Sequence, residues 1–207
     1  MNMTTGQLSP ASVSTRSKPQ GELYRRYDER LGLWFSLRTL DIETDLARFN
    51  RWQNSTRVAH FWQEQGSLDE HREYLQKVAD TPHIFSVIGC FDDEPFAYYE
   101  VYWAQDDRIA PFYPAGEFDR GIHMLVGEEH HRGPAKVDCW LRSLVNWLLL
   151  DEPRTCRVVA EPRADNDKMI GYMSSVGFSK HKEFDFPHKR AALMVLERAD
   201  FTPPPGP

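Results

Sequence analysis

Two hydrophobic periods alternate along the chain, and their order outlines an architecture before any residue is given a role. Runs at 23–27 and 32–39, separated by the polar turn 28–30, read as two strands. Asp41 is placed to cap a helix that continues through Gln53, with Leu46, Phe49 and Trp52 on one face. A short second helix includes 58–62. Ser67-Leu68-Asp69-Glu70 has the S-x-x-E form of a capping box, whose hydroxyl and carboxylate satisfy the unpaired N–H groups of a helix start; this third helix ends near Val78. The period then changes. Residues 84–91 and 96–103 are apolar, β-branched and aromatic, and with Asp92-Asp93-Glu94-Pro95 as the turn they predict a hairpin. A strand at 121–127 leads to a helix over 136–150, where Val137, Trp140, Leu141, Leu144, Val145 and Leu148 recur at the spacing of one buried face. A strand at 157–161, a helix at 167–176 and strands at 178–184 and 190–197 complete the order ββααα-ββ-βα-βα-ββ. That order predicts an α/β fold with a mixed, mostly antiparallel central sheet flanked by helices.

Composition sets bounds on this picture. The 207 residues suit one domain, placed at 22–201, and 41% apolar positions suffice for a core. Residues 1–21, rich in Ser, Thr, Gln and Pro, are expected to be disordered, and 202–207 form a Pro-rich tail unable to join a sheet. No run approaches the ~18 apolar residues of a membrane span, and the start lacks the apolar centre of a signal peptide. A cytoplasmic protein without a membrane partner is expected, a monomer or weak homodimer. The formal charge of −6 argues against a nucleic-acid partner and suits a cationic small molecule. Cys90, Cys139 and Cys156 contain no CxxC pair, which predicts buried free thiols.

Two junctions carry candidate chemistry. His130-His131-Arg132-Gly133-Pro134-Ala135-Lys136 precedes a helix. Small residues there allow close approach of a ligand, and the unpaired N–H groups of the helix start can hold a pyrophosphate, with Arg132 and Lys136 adding charge; a solvated basic turn is the plain alternative. His130 and His131 are expected to diverge, with no carboxylate or Cys spacing to complete a metal site, so no metal is expected. The second junction, Glu161-Pro162-Arg163-Ala164-Asp165-Asn166, follows a strand and leads through a helix to Gly177-Phe178. Strand ends of this kind are where α/β proteins place ligands, although Asn166 serves equally as an N-cap.

Together these junctions resemble the GNAT superfamily of N-acetyltransferases. The superfamily's pyrophosphate loop, [Q/R]-x-x-G-x-[G/A], is matched by His130-His131-Arg132-Gly133-Pro134-Ala135, with His in the first place. Its later motif, Asn followed eleven positions on by Gly-Phe, is matched by Asn166, Gly177 and Phe178. A narrower resemblance spans roughly 33–201. It rests on Trp52-Gln53-Asn54, Val58-Ala59-His60-Phe61-Trp62, Tyr98-Tyr99-Glu100-Val101-Tyr102-Trp103, Gly121-Ile122-His123, 161–166, and Asp185-Phe186-Pro187-His188-Lys189-Arg190-Ala191. These stretches are similar to the siderophore-biosynthesis acyltransferases of the aerobactin, alcaligin and desferrioxamine type. That resemblance implies transfer of an acetyl or succinyl group from its acyl-CoA co-substrate to an N-hydroxylated diamine or N6-hydroxylysine, giving a hydroxamate.

It also implies roles. His123, on the strand bordering the cleft, is the expected base, since imidazole titrates near the working pH; a core histidine bonded to a backbone carbonyl is the plain reading. Asp165 is expected to orient His123 or take its proton, or else to cap the next helix, with Glu161 in reserve. Glu100 alternates to one face with Tyr98 and Tyr102 and offers a seat for a distal ammonium, while Trp62, beside Phe61, lines an acceptor tunnel or belongs to the core. Met124, Leu125 and Val126 offer backbone to the pantetheine; Arg132, Gly133, Pro134, Ala135, Lys136 and Asn166 surround the rest of the cofactor. His188, Lys189 and Arg190 form a basic cluster that holds a carboxylated acyl group or simply starts the last strand. The chain departs from the superfamily seven positions after Asn166, where Met173 replaces a Tyr that protonates the thiolate and Tyr172 falls one position early. The rival readings are an aminoglycoside- or polyamine-type N-acetyltransferase and a catalytically degenerate CoA-binding domain.

Overall fold

The structure, a computed structural model, describes residues 18–205. The expected disorder of 1–21 therefore falls mostly outside the described residues. Lys18 at the start of the described chain donates to the carbonyls of Val78 and Ala79 at 2.9 and 2.7 Å.

Eight strands form one sheet: β1 (Glu22–Asp28), β2 (Leu33–Thr39), β3 (Ile84–Phe91), β4 (Glu94–Trp103), β5 (Arg120–Val126), β6 (Arg157–Ala160), β7 (Ser179–Phe186) and β8 (Lys189–Glu197). Their spatial order is β1-β2-β3-β4-β5-β6-β8-β7, and every pairing is antiparallel except β5 with β6. Helices α1 (Ile42–Gln53), α2 (Thr56–Trp62), α3 (Leu68–Asp80), α4 (Pro134–Asp151) and α5 (Asp167–Val176) complete the predicted order.

The caps form as the local chemistry requires. The Asp41 side chain accepts from the Glu43 N–H, and Ser67 and Glu70 make the reciprocal capping box. The β3–β4 turn is tighter than predicted. It consists of Asp92 and Asp93, both at positive φ (47° and 65°), and Glu94 and Pro95 belong to β4. Two residues with positive φ match the twist of a hairpin, and Asp tolerates that conformation. Helix α4 also departs from a single buried face: Cys139, Ser143 and Trp147 are buried besides the predicted set. Arg26 of β1 donates to Ser143 Oγ at 2.8 Å, Tyr24 accepts from Asn146 at 3.1 Å, and Trp147 meets Phe85 of β3 edge-on at 6.2 Å. Of the cysteines, Cys90 and Cys139 are buried but Cys156 is exposed. In the tail, Pro204 is buried and Arg142 donates to the Thr202 carbonyl.

The sheet separates two apolar layers. Trp140, Leu141, Leu144 and Leu148 of α4 pack on one face with Tyr99, Val101 and Ile122. Leu46, Phe49 and Trp52 of α1 pack on the other with Ile88, Tyr98 and Leu125. Each large side chain buried this fully contributes about 1.5–3 kcal/mol. Strand alternation then decides which residues leave the α4 layer: Tyr98, Glu100 and Tyr102 of β4 all face the side of α1 and α3.

A break in pairing positions the site. β5 and β6 pair only at Arg120↔Val158 and Gly121↔Val159. Beyond Gly121 the two strands separate, leaving a gap in the sheet. The Gly127 N–H donates to Phe96 on β4, so by alternation the backbone groups of Met124 and Val126 face this gap.

Candidate active site

A cavity of about 380 Å³ fills that gap, and His123 stands on its floor. Register places it there. His123 pairs directly with Glu100 across β4 and β5, and its Nδ1 lies 2.8 Å from Glu100 Oε2. On the other side, Glu161 follows the last residue of β6, and its Oε1 lies 2.5 Å from His123 Nε2. Both carboxylate side chains are essentially buried, whereas His123 keeps 16% of its side chain exposed. All three line the cavity, and His123 is the most exposed of them.

Tyrosines support each carboxylate. Tyr98 donates to Glu100 Oε1 at 2.8 Å, Tyr74 of α3 donates to the same oxygen, and Tyr102 donates to Glu161 Oε2 at 2.7 Å. Burial, then the charge of the neighbouring carboxylate, holds all three hydroxyls protonated well above their ordinary range. The Tyr102 ring lies over Gly121, where an added Cβ would come within 1.8 Å of it. Lys189 donates to the Glu161 carbonyl at 2.7 Å, and its Nζ is 3.9 Å from Glu161 Oε1.

These contacts fix the charge. Burial pushes the His123 imidazole down, but the charge of Glu161 and the hydrogen bonds to both carboxylates outweigh it and raise it to about 10. Burial pushes Glu161 up, and the charge and hydrogen bond of His123, with Lys189, bring it down to about 2. Glu100 is lowered in the same way, burial being overcome by His123, Tyr74 and Tyr98. At neutral pH the array is an imidazolium between two carboxylates, with net charge −1. This corrects the expectation of a neutral imidazole poised near the working pH: both ring nitrogens are already committed as donors.

The other sequence candidates divide. Trp62 and Phe61 of α2 line the cavity, and Trp62 Nε1 donates to the Met124 carbonyl at 3.3 Å. Arg57 holds the Val126 carbonyl at 2.7 Å. Asn166 lines the cavity while its side chain caps α5 by accepting from the Met169 N–H. Tyr98 and Tyr102 do not line it; they are buried behind the carboxylates. Glu100 lines it but is committed to His123 and two tyrosines, so the seat for a distal ammonium is already filled.

Asp165 is not brought to His123. Its carboxylate is 60% exposed and pairs with Arg163 at 2.7 Å, because the chain turns outward after Glu161. Glu161 occupies the place expected of it. On α5, Met173 is fully buried, and Tyr172 lines the cavity despite its offset of one position.

The loop before α4 is open at its centre. Gly133 has φ 113° and ψ 156°, a conformation open to glycine alone, and nothing lies within 4 Å of where a Cβ would be. Arg132 and Gly133 line the cavity; Pro134, Ala135 and Lys136 do not. Lys136 is turned back onto the His130 carbonyl at 2.9 Å and His131 Nδ1 at 3.0 Å, and Arg132 pairs with Glu129. The adjacent histidines do not diverge as expected. Both Nε2 atoms reach the Glu94 carboxylate, at 3.1 and 3.2 Å, since Glu94 at the start of β4 comes alongside from a distant part of the sequence.

Sequence reasoning missed Tyr74, Arg57, Glu64 and Arg108, all of which line the cavity. Tyr74 had one available signal: it lies on α3 beside the buried Leu75. Arg57, Glu64 and Arg108 lie on short or irregular segments whose spacing carries no period.

Comparison with known proteins places the chain in a family. A family model for the acetyltransferase (GNAT) domain matches residues 41–186. A putative lysine N-acyltransferase of Schizosaccharomyces pombe is 52% identical over 185 residues, covering 89% of this chain and 55% of that protein. An N(6)-hydroxylysine O-acetyltransferase of Escherichia coli is 47% identical over 184 residues, covering 89% and 58%. The chain thus spans a little over half the length of these relatives. A solved aminoglycoside acetyltransferase in complex with paromomycin and acetyl-CoA superposes with a TM-score of 0.72 at 23% identity, over 80% of this chain and 94% of that one, a likeness of fold. Among the described residues no helix is long and apolar enough to cross a membrane. With its sheet order, its opened β5–β6 gap and a family match over most of its length, the chain belongs to the acetyltransferase (GNAT) domain family.

Proposed function

We propose that this domain transfers an acyl group from acyl-CoA to the nitrogen of an N-hydroxylated amine and so forms a hydroxamate. The observation that carries the reading is the Glu100–His123–Glu161 array on the floor of a cavity continuous with the sheet gap. The gap-facing N–H groups of Met124 and Val126 suit the amides of the pantetheine arm. The open loop at Gly133 and the start of α4 suit the diphosphate. Relatives named for lysine and hydroxylysine acylation support an amine of that class as acceptor.

The proton path follows from the charges. A hydroxylamine nitrogen is less basic than an alkyl amine and attacks without first losing a proton, so alignment matters more than a strong base. Once the C–N bond forms, the nitrogen becomes acidic. His123 cannot accept its proton while both ring nitrogens are protonated. Glu161, which also lines the cavity, takes the proton on its carboxylate while His123 stays an imidazolium and holds that carboxylate in place. The array goes from net −1 to neutral, and the C–S bond breaks as the carbonyl re-forms. Transfer is direct, since no cysteine lines the cavity among the described residues.

The test is a matrix of acetyl-CoA and succinyl-CoA against N6-hydroxylysine, hydroxycadaverine, their unhydroxylated parents and an aminocyclitol. Thiol release and product mass are followed, with ferric-complex colour to separate N- from O-acylation. Hydroxylated amines should be preferred at least tenfold and give the coloured hydroxamate, a preference within the reach of one well-placed polar contact. Faster turnover of aminocyclitols or of the parent amines refutes the reading.

A further inference from the structure

Arg108, Lys189 and the His188 imidazole gather at one end of the cavity around the ring of Phe186. Arg108 Cζ lies 5.1 Å from the centroid of the Phe186 ring, Lys189 Nζ lies 5.7 Å from it, and the His188 ring stacks on it at 5.6 Å and 11°. All three line the cavity. Arg108 makes no ion pair within 4 Å among the described residues, and His188 makes none. Glu64 and Asp107 feel the Arg108 charge only from further away. Lys189 donates to the Glu161 carbonyl at 2.7 Å and lies 3.9 Å from Glu161 Oε1, a carboxylate oxygen already held by His123. Burial lowers both His188 and Lys189, the charge of Arg108 adds to it and Glu161 opposes it, so this end of the cavity disfavours further positive charge as it stands. Two cations beside one aromatic ring, with an imidazole stacked on it at the edge of a cavity, are a place that a ligand anion would complete.

Topology says which end this is. The Gly133 loop departs beyond Val126, the last residue of β5. Arg108 lies on the connection that enters β5 at Arg120, its other end, and His188 lies in the β7–β8 turn. His123 stands between the two. A thioester entering from the Gly133 side meets His123 with the cationic cluster beyond it.

We propose that Arg108, His188 and Lys189 form a seat for a substrate carboxylate on the far side of His123 from the coenzyme. The proposal rests on the acyl-transfer reading and deepens it. Two substrates could supply the group: the α-carboxylate of an amino-acid acceptor or the terminal carboxylate of a diacid acyl chain. Arg108 is the principal partner, because its planar guanidinium can bind a carboxylate through two parallel hydrogen bonds.

The experiment compares kcat/KM for the wild type, Arg108→Gln and Arg108→Lys on four pairs: N6-hydroxylysine or hydroxycadaverine, each with acetyl-CoA or succinyl-CoA. Hydroxycadaverine with acetyl-CoA carries no carboxylate beyond the coenzyme and is the reference. Arg108→Gln should lower kcat/KM at least tenfold more on a carboxylate-bearing pair than on the reference, the size of a charged hydrogen bond, with Arg108→Lys in between. Loss confined to the hydroxylysine pairs assigns the seat to the acceptor; loss confined to the succinyl pairs assigns it to the acyl group. Equal changes on all four pairs overturn the seat while leaving the transfer reading intact. If the wild type turns over none of the four, the transfer reading fails. Calorimetry of lysine against cadaverine, and of succinate, then decides the seat: Arg108-dependent binding of a carboxylate sustains it, and indifference overturns it.

Discussion

Replacing Glu161 with Gln tests the electrostatic core of the site. The substitution keeps the shape and the hydrogen bond from Tyr102 but removes the charge 2.5 Å from His123 Nε2. His123 stands at about 10 instead of 6.5, which corresponds to a preference of about 5 kcal/mol for the imidazolium over the imidazole. Two carboxylates supply that preference against the opposing effect of burial, and Glu161 supplies the larger Coulomb part. Its loss should therefore remove at least half, about 2–3 kcal/mol, and lower the imidazole by about two pH units. Nitrogen-detected NMR of the imidazole reads this directly. In the wild type His123 should stay protonated from pH 6 to 8.5; in Glu161→Gln it should titrate within that range. Turnover should fall by about 10²-fold or more, because the carboxylate that takes the proton is gone. Linkage gives a second readout. The raised His123 contributes stability that is complete below pH 6.5 and lost as pH climbs through about 10. The lowered Glu161 contributes stability that is complete above pH 4.5 and lost as pH falls through about 2. The stability gap between wild type and variant should thus be widest between pH 4.5 and about 8, where the variant's His123 begins to deprotonate, and narrow on both sides. A wild-type His123 that titrates near 6.5 would refute the reasoning, as would a gap indifferent to pH.

Asp165→Asn separates the two acids that the second junction offers: an exposed carboxylate paired only with Arg163 should change stability by less than about 0.5 kcal/mol and leave turnover near wild type. A collapse of kcat there would restore Asp165 as the partner of His123. Gly133→Ala forces an L-residue into a glycine-only conformation worth about 1–3 kcal/mol of strain, so KM for acyl-CoA should rise by roughly 5- to 100-fold while kcat holds. An unchanged KM would remove the loop from the coenzyme site. Gly121→Ala drives a Cβ into the Tyr102 ring, and urea unfolding should show a loss of at least about 1–3 kcal/mol, with Tyr102 displaced from Glu161.

What the sequence made legible, and what it hid, follow from the range of the forces involved. Element order, the Asp41 cap and the Ser67–Glu70 capping box were readable because each is settled within a few residues. Alternation along β4 correctly put Glu100 on one face with Tyr98 and Tyr102. The register of β4 against β5 is another matter. It is fixed by apolar layers built from helices on both sides of the sheet, and a slip of one residue would turn every side chain of a strand to the other face. That register sets Glu100 opposite His123, and the two-residue pairing of β5 with β6 sets Glu161 on the opposite ring nitrogen. The number of carboxylates around His123 is therefore a property of strand pairing, and no local pattern encodes it. The chemistry turns on that number. With one buried carboxylate, a histidine on this strand could be a neutral base oriented by its partner. With two, it is a cation, and the group proposed to take up a proton is the array as a whole rather than the imidazole alone. The same holds for the cationic cluster: Arg108 and His188 lie 80 positions apart, and only the stack on Phe186 makes them neighbours. The sequence puts His123 on the strand bordering the cleft, and the folded sheet decides which proton it can hold.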